Sequence, residues 1–141
     1  MDTRTAAKRW ADTWRENWMA KNPAPIAALY APGARYATAP FRTPHIGREG
    51  AMAYVAPVLA EEEKIRAWFG EAIVDGDRAA VQWWASFEEN GVEATYAGTS
   101  ILLFDEDGLV IDEWDSWNRT DGRIEPPTGW GSGRMAAASQ P

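Results

Sequence analysis

Cysteine is absent from the 141 residues, and histidine occurs once, as His45. The first absence removes disulfides, thiolate nucleophiles and cysteine-bound metals. The second leaves no histidine-based metal site; an all-oxygen site is open but nothing in the sequence motivates it, and no metal or organic cofactor is expected. Basic charge is also short. Fourteen Lys and Arg against 21 Asp and Glu give a formal net charge of −7, the opposite of what a phosphate-binding surface needs. Nucleic acid and anionic membranes are therefore not expected partners. No apolar run approaches the ~20 residues that span a bilayer, and the N-terminus, MDTRTAAKRWADTW, lacks the apolar core of a secretory signal. The expected location is cytoplasmic.

What the chain has in excess is tryptophan, nine in all. Nine indoles do not fit one compact core of this size, and tryptophan is enriched where apolar surface meets a polar partner. A Trp-rich core with a dimer interface accounts for most of them; a minority lining a pocket is compatible with that. The length fits one domain, placed at residues 1–130, with a Gly-, Pro- and Ala-rich tail over 131–141 expected to be disordered. Trp130 stands out as able to dock on the body.

Hydrophobic spacing then assigns the elements. Trp10, Trp14 and Trp18 recur every four residues, which predicts one amphipathic helix over 3–20. NPAPIAALYAPG predicts a second helix, opened by Asn22 and Pro23 and stopped at Pro32-Gly33. ARYATAP reads as a short strand, PFRTPHIG as a loop, and REGAMAYVAPVLAEEE as a third helix that Pro57 should kink or shorten. From about residue 65, four β-rich runs are separated by Asp75-Gly76, Asn90-Gly91 and DEDG. Asp-Gly and Asn-Gly between such runs are strong hairpin signals. The expected fold class is α+β: a curved antiparallel sheet, made of a four-strand meander plus the short N-terminal strand, with about three helices on one face.

This order, with IAALYAPGARY, GDRAAVQWW, EWDSWN and above all GTSILLFDEDGLV, resembles the SnoaL-like family of the NTF2-like superfamily over about residues 7–118. The resemblance implies a cone enclosing a pocket, and a homodimer through the outer sheet face. It does not fix an activity, because the superfamily holds enzymes and binders alike. Related ketosteroid isomerases use a tyrosine and two acids. The comparable positions here hold Trp14, Thr38 or Ala39, and Ser100, so that set is missing. Limonene-epoxide hydrolases use an Arg-x-Asp pair where this chain has Gln82, Trp83, Trp84 and Ala85. Their remaining aspartate, on the last strand, falls on Asp115. The single acid/base aspartate of SnoaL-type cyclases is placed there too.

Alternation along LVIDEWDSWN puts Leu109, Ile111, Glu113, Asp115 and Trp117 on one face, and Val110, Asp112 and Trp114 on the other. If Asp115 faces the pocket, so does Glu113, and two carboxyls in one apolar cavity do not both stay ionised. A raised carboxyl suits proton transfer. The alternatives are structural: Glu113 paired with Arg35, Arg42 or Arg119, or Asp115 accepting bonds from an indole and a phenol. His45 is a candidate second acid/base group, against ordinary solvent exposure of a loop histidine. Trp14, Tyr30, Tyr36, Phe41, one of Trp83 and Trp84, Ser100 and Trp117 complete the candidate ligand-binding set, with core packing the alternative, above all for Tyr30. An aromatic box with one carboxylate fits a flat apolar ligand or a cation. Two functions follow: a small acid/base enzyme on a hydrophobic cyclic or aromatic compound, or a non-catalytic small-molecule-binding homodimer. A cavity below ~300 Å³, under the usual range for ligand sites, would count against both.

Overall fold

The structure, a computed structural model, describes residues 1–132; the expectation of a disordered tail lies, from residue 133 onward, outside them. Helix α1 (Thr3–Met19) opens where Asp2 accepts a hydrogen bond from the Thr5 amide at 2.7 Å, satisfying one of the free amides of the first turn. It buries Trp10 and Trp14, as the four-residue spacing requires. Helix α2 (Pro23–Ala27) is shorter than its sequence predicts. The reason is tertiary: Tyr30 already belongs to strand β1 (Tyr30–Ala37), which pairs in parallel with the last strand, and the Val110 amide donates to the Leu29 carbonyl at 2.9 Å. Ladder bonds to a distant strand here outweigh the local helical pattern of IAALYA. The sheet is therefore mixed, not purely antiparallel.

A two-residue strand, β2 (His45–Ile46), occupies the end of the expected loop and pairs with β1. Helix α3 (Gly47–Glu61) runs through Pro57. The meander follows as β3 (Glu62–Phe69), β5 (Arg78–Glu89), β6 (Val92–Phe104) and β7 (Val110–Asp121), with a small strand β4 (Ile73–Asp75) paired to β5. What reads as one strand before Asp75 is two, β3 and β4, broken at 70–72. The Asn90-Gly91 turn has φ of +51° and +82° at its two central residues, the conformation that matches the twist of a two-residue hairpin. The sheet order is β2-β1-β7-β6-β5-β3. α1 packs on β3 and β5 and α3 on β1 and β3, so the helices cover one face of a curved sheet and leave the other outside.

Two irregularities decide which side chains face inward. At the start of β7 the pairing slips between Leu103–Asp112 and Phe104–Val110, so two residues of β7 face outward in succession. Val110 is consequently buried and Ile111 exposed, the reverse of simple alternation. From Glu113 onward the expected parity holds: Glu113 and Asp115 are buried and Trp114 is exposed. The second slip lies in β3 between Glu63 and Arg66, where Lys64 has a positive φ of 53°. It turns Glu62 inward.

The C-terminal segment crosses the outer face of β3 and β5. Trp84 donates to the Ile124 carbonyl at 2.7 Å, and Trp130 packs edge-on against Trp84 at 5.9 Å. The Glu71 amide reaches the Gly131 carbonyl at 2.6 Å, beside a Gly70–Gly131 contact too close for any side chain. Trp130 thus docks as expected. A comparable approach occurs inside the sheet, where a methyl on Gly98 would lie 2.3 Å from the Ser116 carbonyl oxygen and 2.7 Å from Trp117 Cβ. Gly98→Ala is expected to destabilise the fold by about 1–3 kcal/mol through forced backbone shifts. A chemical-denaturation midpoint unchanged from wild type would show that the sheet yields there at no cost.

Candidate active site

The helices and the inner sheet face enclose a cavity of about 260 Å³. Its floor is the inward row of β7, continued onto β6 and β5. Ser100 lies opposite Asp115, and its Oγ donates to Asp115 Oδ1 at 2.6 Å while accepting from Trp83 Nε1 at 3.0 Å. Glu113 Oε1 accepts from the Tyr30 hydroxyl at 2.7 Å and from Trp10 Nε1 at 3.2 Å, and Tyr30 in turn accepts from Trp14 Nε1 at 3.2 Å. Glu113 and Asp115 share a hydrogen bond. The result is one buried chain of donors closing on two carboxyls from both sides. Among the described residues no arginine takes part: Arg35 pairs with Asp112, Arg42 lies over the Trp117 ring and Arg119 pairs with Glu89 and Asp121.

Burial pushes both carboxyls up. Glu113 is raised well above the ordinary glutamate range, by desolvation first and then by the charge of Asp115 and the bond to it. Asp115 is raised to about 6, because desolvation outweighs the bonds from Glu113 and Ser100 that favour its charged form. Near neutrality the pair therefore carries one proton between its two carboxyls. Tyr30 and Tyr36 are pushed far above the usual phenol value, chiefly by burial, and stay neutral.

Of the residues singled out from the sequence, Asp115, Glu113, Ser100, Trp14, Tyr36, Trp83 and Trp117 line the cavity. Trp83 is the inward member of its pair. Three do not line it. Tyr30 is fully buried behind the wall, where its hydroxyl serves Glu113. Phe41 is fully exposed, because the loop after β1 swings its ring to solvent. His45 packs behind the wall on Tyr54 at 4.8 Å and Tyr36 at 6.2 Å, since β2 pairing holds its backbone outside β1. Indole and phenol donors do satisfy a buried carboxyl, but that carboxyl is Glu113 and not Asp115.

The sequence reading misses Glu62, Glu89, Tyr54, Tyr96 and Thr38, which also line the cavity. Glu62 accepts from Trp18 Nε1 at 2.7 Å, and burial raises it to about 7. Trp10 and Trp18 were legible only as the helical stripe, whose inward direction could have flagged them. Among the described residues no group of three or more Asp, Glu or His side chains converges as a metal site would. No described helix is long and apolar enough to cross a membrane.

The SnoaL-like domain model matches residues 8–113. The chain belongs to the SnoaL-like family. Among curated proteins no sequence matches it. Solved structures show the fold. Rv0760c from Mycobacterium tuberculosis superposes with a TM-score of 0.73 at 16% identity, covering 86% of this chain and 100% of that one. SalBIII, described as an epoxide hydrolase/cyclase-like enzyme of pyran ring formation in salinomycin, gives 0.74 at 13%, covering 86% and 98%. A protein of ketosteroid isomerase-like fold from Catenulispora acidiphila, in complex with trimethylamine, gives 0.68 at 17%, covering 81% and 85%. The SnoaL-like cone inferred from GTSILLFDEDGLV is thus the observed fold.

Asp115, Glu62 and Glu113 all bind protons more tightly folded than unfolded, so their effect on stability is greatest below the unfolded carboxyl values and fades as pH rises through about 6 and about 7. The thermal midpoint is expected to fall from about pH 5 to about pH 8, and Glu113→Gln, which cannot ionise, to flatten part of that fall. Scanning calorimetry across this range measures it; a midpoint rising with pH would contradict the assignment.

Proposed function

We propose that the protein is a cofactor-independent acid/base catalyst of small hydrophobic ring compounds, with Asp115 as the group that takes up and returns the proton. The observation that carries this reading is a pair of adjacent buried carboxyls on the wall of an aromatic cavity, where burial raises Asp115 to about 6 and Glu113 well above its ordinary range. A carboxyl poised there is a competent base near neutrality and becomes an acid once charged with the substrate's proton. Ser100 and Glu113 point hydrogen bonds at Asp115 and fix its orientation, which makes them positioning residues. A proton leaves one substrate atom for Asp115 and is returned to another. Isomerisation, ring closure, dehydration and hydration all draw on that one transfer. The family and the epoxide hydrolase/cyclase-like description of SalBIII support chemistry of this kind.

The cavity limits the substrate. At about 260 Å³ it falls just short of the ~300 Å³ at which ligand sites usually begin. An apolar cavity of ~150 Å³ accepts benzene, so this one fits one or two rings and not a large polycycle. His45, off the wall, has no part in the chemistry. The homodimer implied by the resemblance would use the open part of the outer face, where Ile101, Ile111 and Trp114 are exposed and Ile101 lies opposite Trp114.

An NMR titration of the Asp115 carboxyl, assigned with Asp115→Asn, is expected to give a value near 6, and Ser100→Ala to raise it further by removing a bond to the charged form. A value at or below the ordinary ~3.9 would remove the base from this mechanism. Asp115→Asn should retain ligand affinity and lose turnover. Equal loss of affinity with no turnover in wild type would instead favour a non-catalytic binder.

A further inference from the structure

Cavity charge is lopsided. Among the described residues four carboxyls line it, Glu62, Glu89, Glu113 and Asp115, against one cationic side chain, Arg42, which is itself spread over the Trp117 ring. Glu113 and Asp115 settle their conflict by sharing a proton. Glu62 and Glu89 have no such arrangement. They lie directly opposite each other on β3 and β5, where like charges repel.

Their partners differ. Glu89 accepts from the Tyr96 hydroxyl at 3.1 and 3.2 Å and has Arg119 at 3.6 Å. Glu62, buried, accepts one bond, from Trp18, and among the described residues no Lys, Arg or His comes within ion-pair distance of it. The nearby Lys21 is engaged with Glu63 at 2.7 Å. Desolvation and then the charges of Glu89 and Glu61 push Glu62 up, against the Trp18 bond and the charge of Lys21. A buried carboxyl without a cation is costly unless something supplies one.

The surrounding walls are ring faces. Phe87 and Tyr96 stack at 5.3 Å, and Trp18 lies between Phe87 at 6.3 Å and Trp83 at 5.9 Å. Such faces attract a desolvated cation and reject an anion. Elsewhere on the same wall, Thr38 Oγ1 is buried without a partner of good hydrogen-bond geometry, although Tyr54 is close enough to feel it.

We infer that the cavity takes a ring compound carrying a protonated or quaternary amine, its cationic end held between Glu62 and Glu89 and the faces of Trp18, Phe87 and Tyr96. This rests on the acid/base reading of the same cavity and adds the charge of the substrate to it. The ring extends from that end toward Trp83 and Asp115. Bound cation completes the pairing that Glu62 lacks and drives its proton off.

The test compares phenyltrimethylammonium with its neutral isostere tert-butylbenzene, followed by quenching of tryptophan emission in the full chain. The cation should bind about tenfold tighter or more. Calorimetry in buffers of different ionisation enthalpy should show a fraction of a proton released near pH 7, where Glu62 is partly protonated. Glu62→Gln, which keeps an acceptor for Trp18, should abolish the proton release and most of the preference; Glu89→Gln should reduce the preference. Asp115→Asn should leave the preference in place. Equal affinity for the two compounds, binding of neither, or a preference untouched by both glutamine variants would overturn the inference. Because the Asp115 titration is measured without ligand, its outcome separates a failure here from a failure of the acid/base reading.

Discussion

One proton shared between Glu113 and Asp115 organises the inside of this protein. The two carboxyls occupy successive inward positions of β7, both almost wholly removed from water. Two charges there would repel across a medium that screens poorly, so one must be neutral. The pair is held by donors drawn from different parts of the chain: indoles from α1 and a phenol from β1 on the side of Glu113, an indole from β5 and a hydroxyl from β6 on the side of Asp115. The donors to Glu113 reach it only if α1 lies across the sheet and β1 pairs with β7. The packing of the helices and the state of the carboxyls are thus one arrangement. Taking away a single partner would leave a buried charge less solvated, which is why such networks tolerate little loosening.

Tryptophan serves both needs of this arrangement. An indole has a wide apolar face and one N–H at its edge. Trp10, Trp14, Trp18, Trp83 and Trp117 all line the cavity, and all five direct the N–H to an acceptor of the wall or floor. The faces define an apolar space while the edges satisfy two carboxyls, two hydroxyls and a backbone carbonyl. Five of the nine serving the cavity exceeds the minority expected from composition. The others sit outside: Trp84 and Trp130 clamp the C-terminal segment, Trp68 lies under Arg66, and Trp114 faces outward with Arg35 over its ring.

Much of this was legible in the sequence because it is local. Turn residues mark the ends of β4, β5 and β6, the four-residue Trp spacing marks the buried face of α1, and two-residue alternation sets Glu113, Asp115 and Trp117 together. What was not legible depends on partners far away in the chain. The end of α2 is decided by a parallel strand about eighty residues on. The bulge beside Lys64 turns Glu62 inward, and nothing in KIRAWF announces it, since a slip of one residue reverses every later side chain. The bulge at Ile111 likewise inverts Val110 and Ile111 while leaving Glu113 and Asp115 as expected. Tyr30 was readable as a core phenol but not as the donor to Glu113, because that pairing needs the β1–β7 register. Phe41 fails for the opposite reason: a loop offers no periodicity to read.

The contact between Gly131 and Gly70 reaches further than its size. Gly70 follows Phe69, a ring of the cavity wall that packs edge-on against Trp10 at 5.6 Å. The C-terminal segment therefore acts as a brace from outside on the bend that sets one wall within. Brace and cavity thus press on the same bend from opposite sides, with only the thickness of one sheet between them.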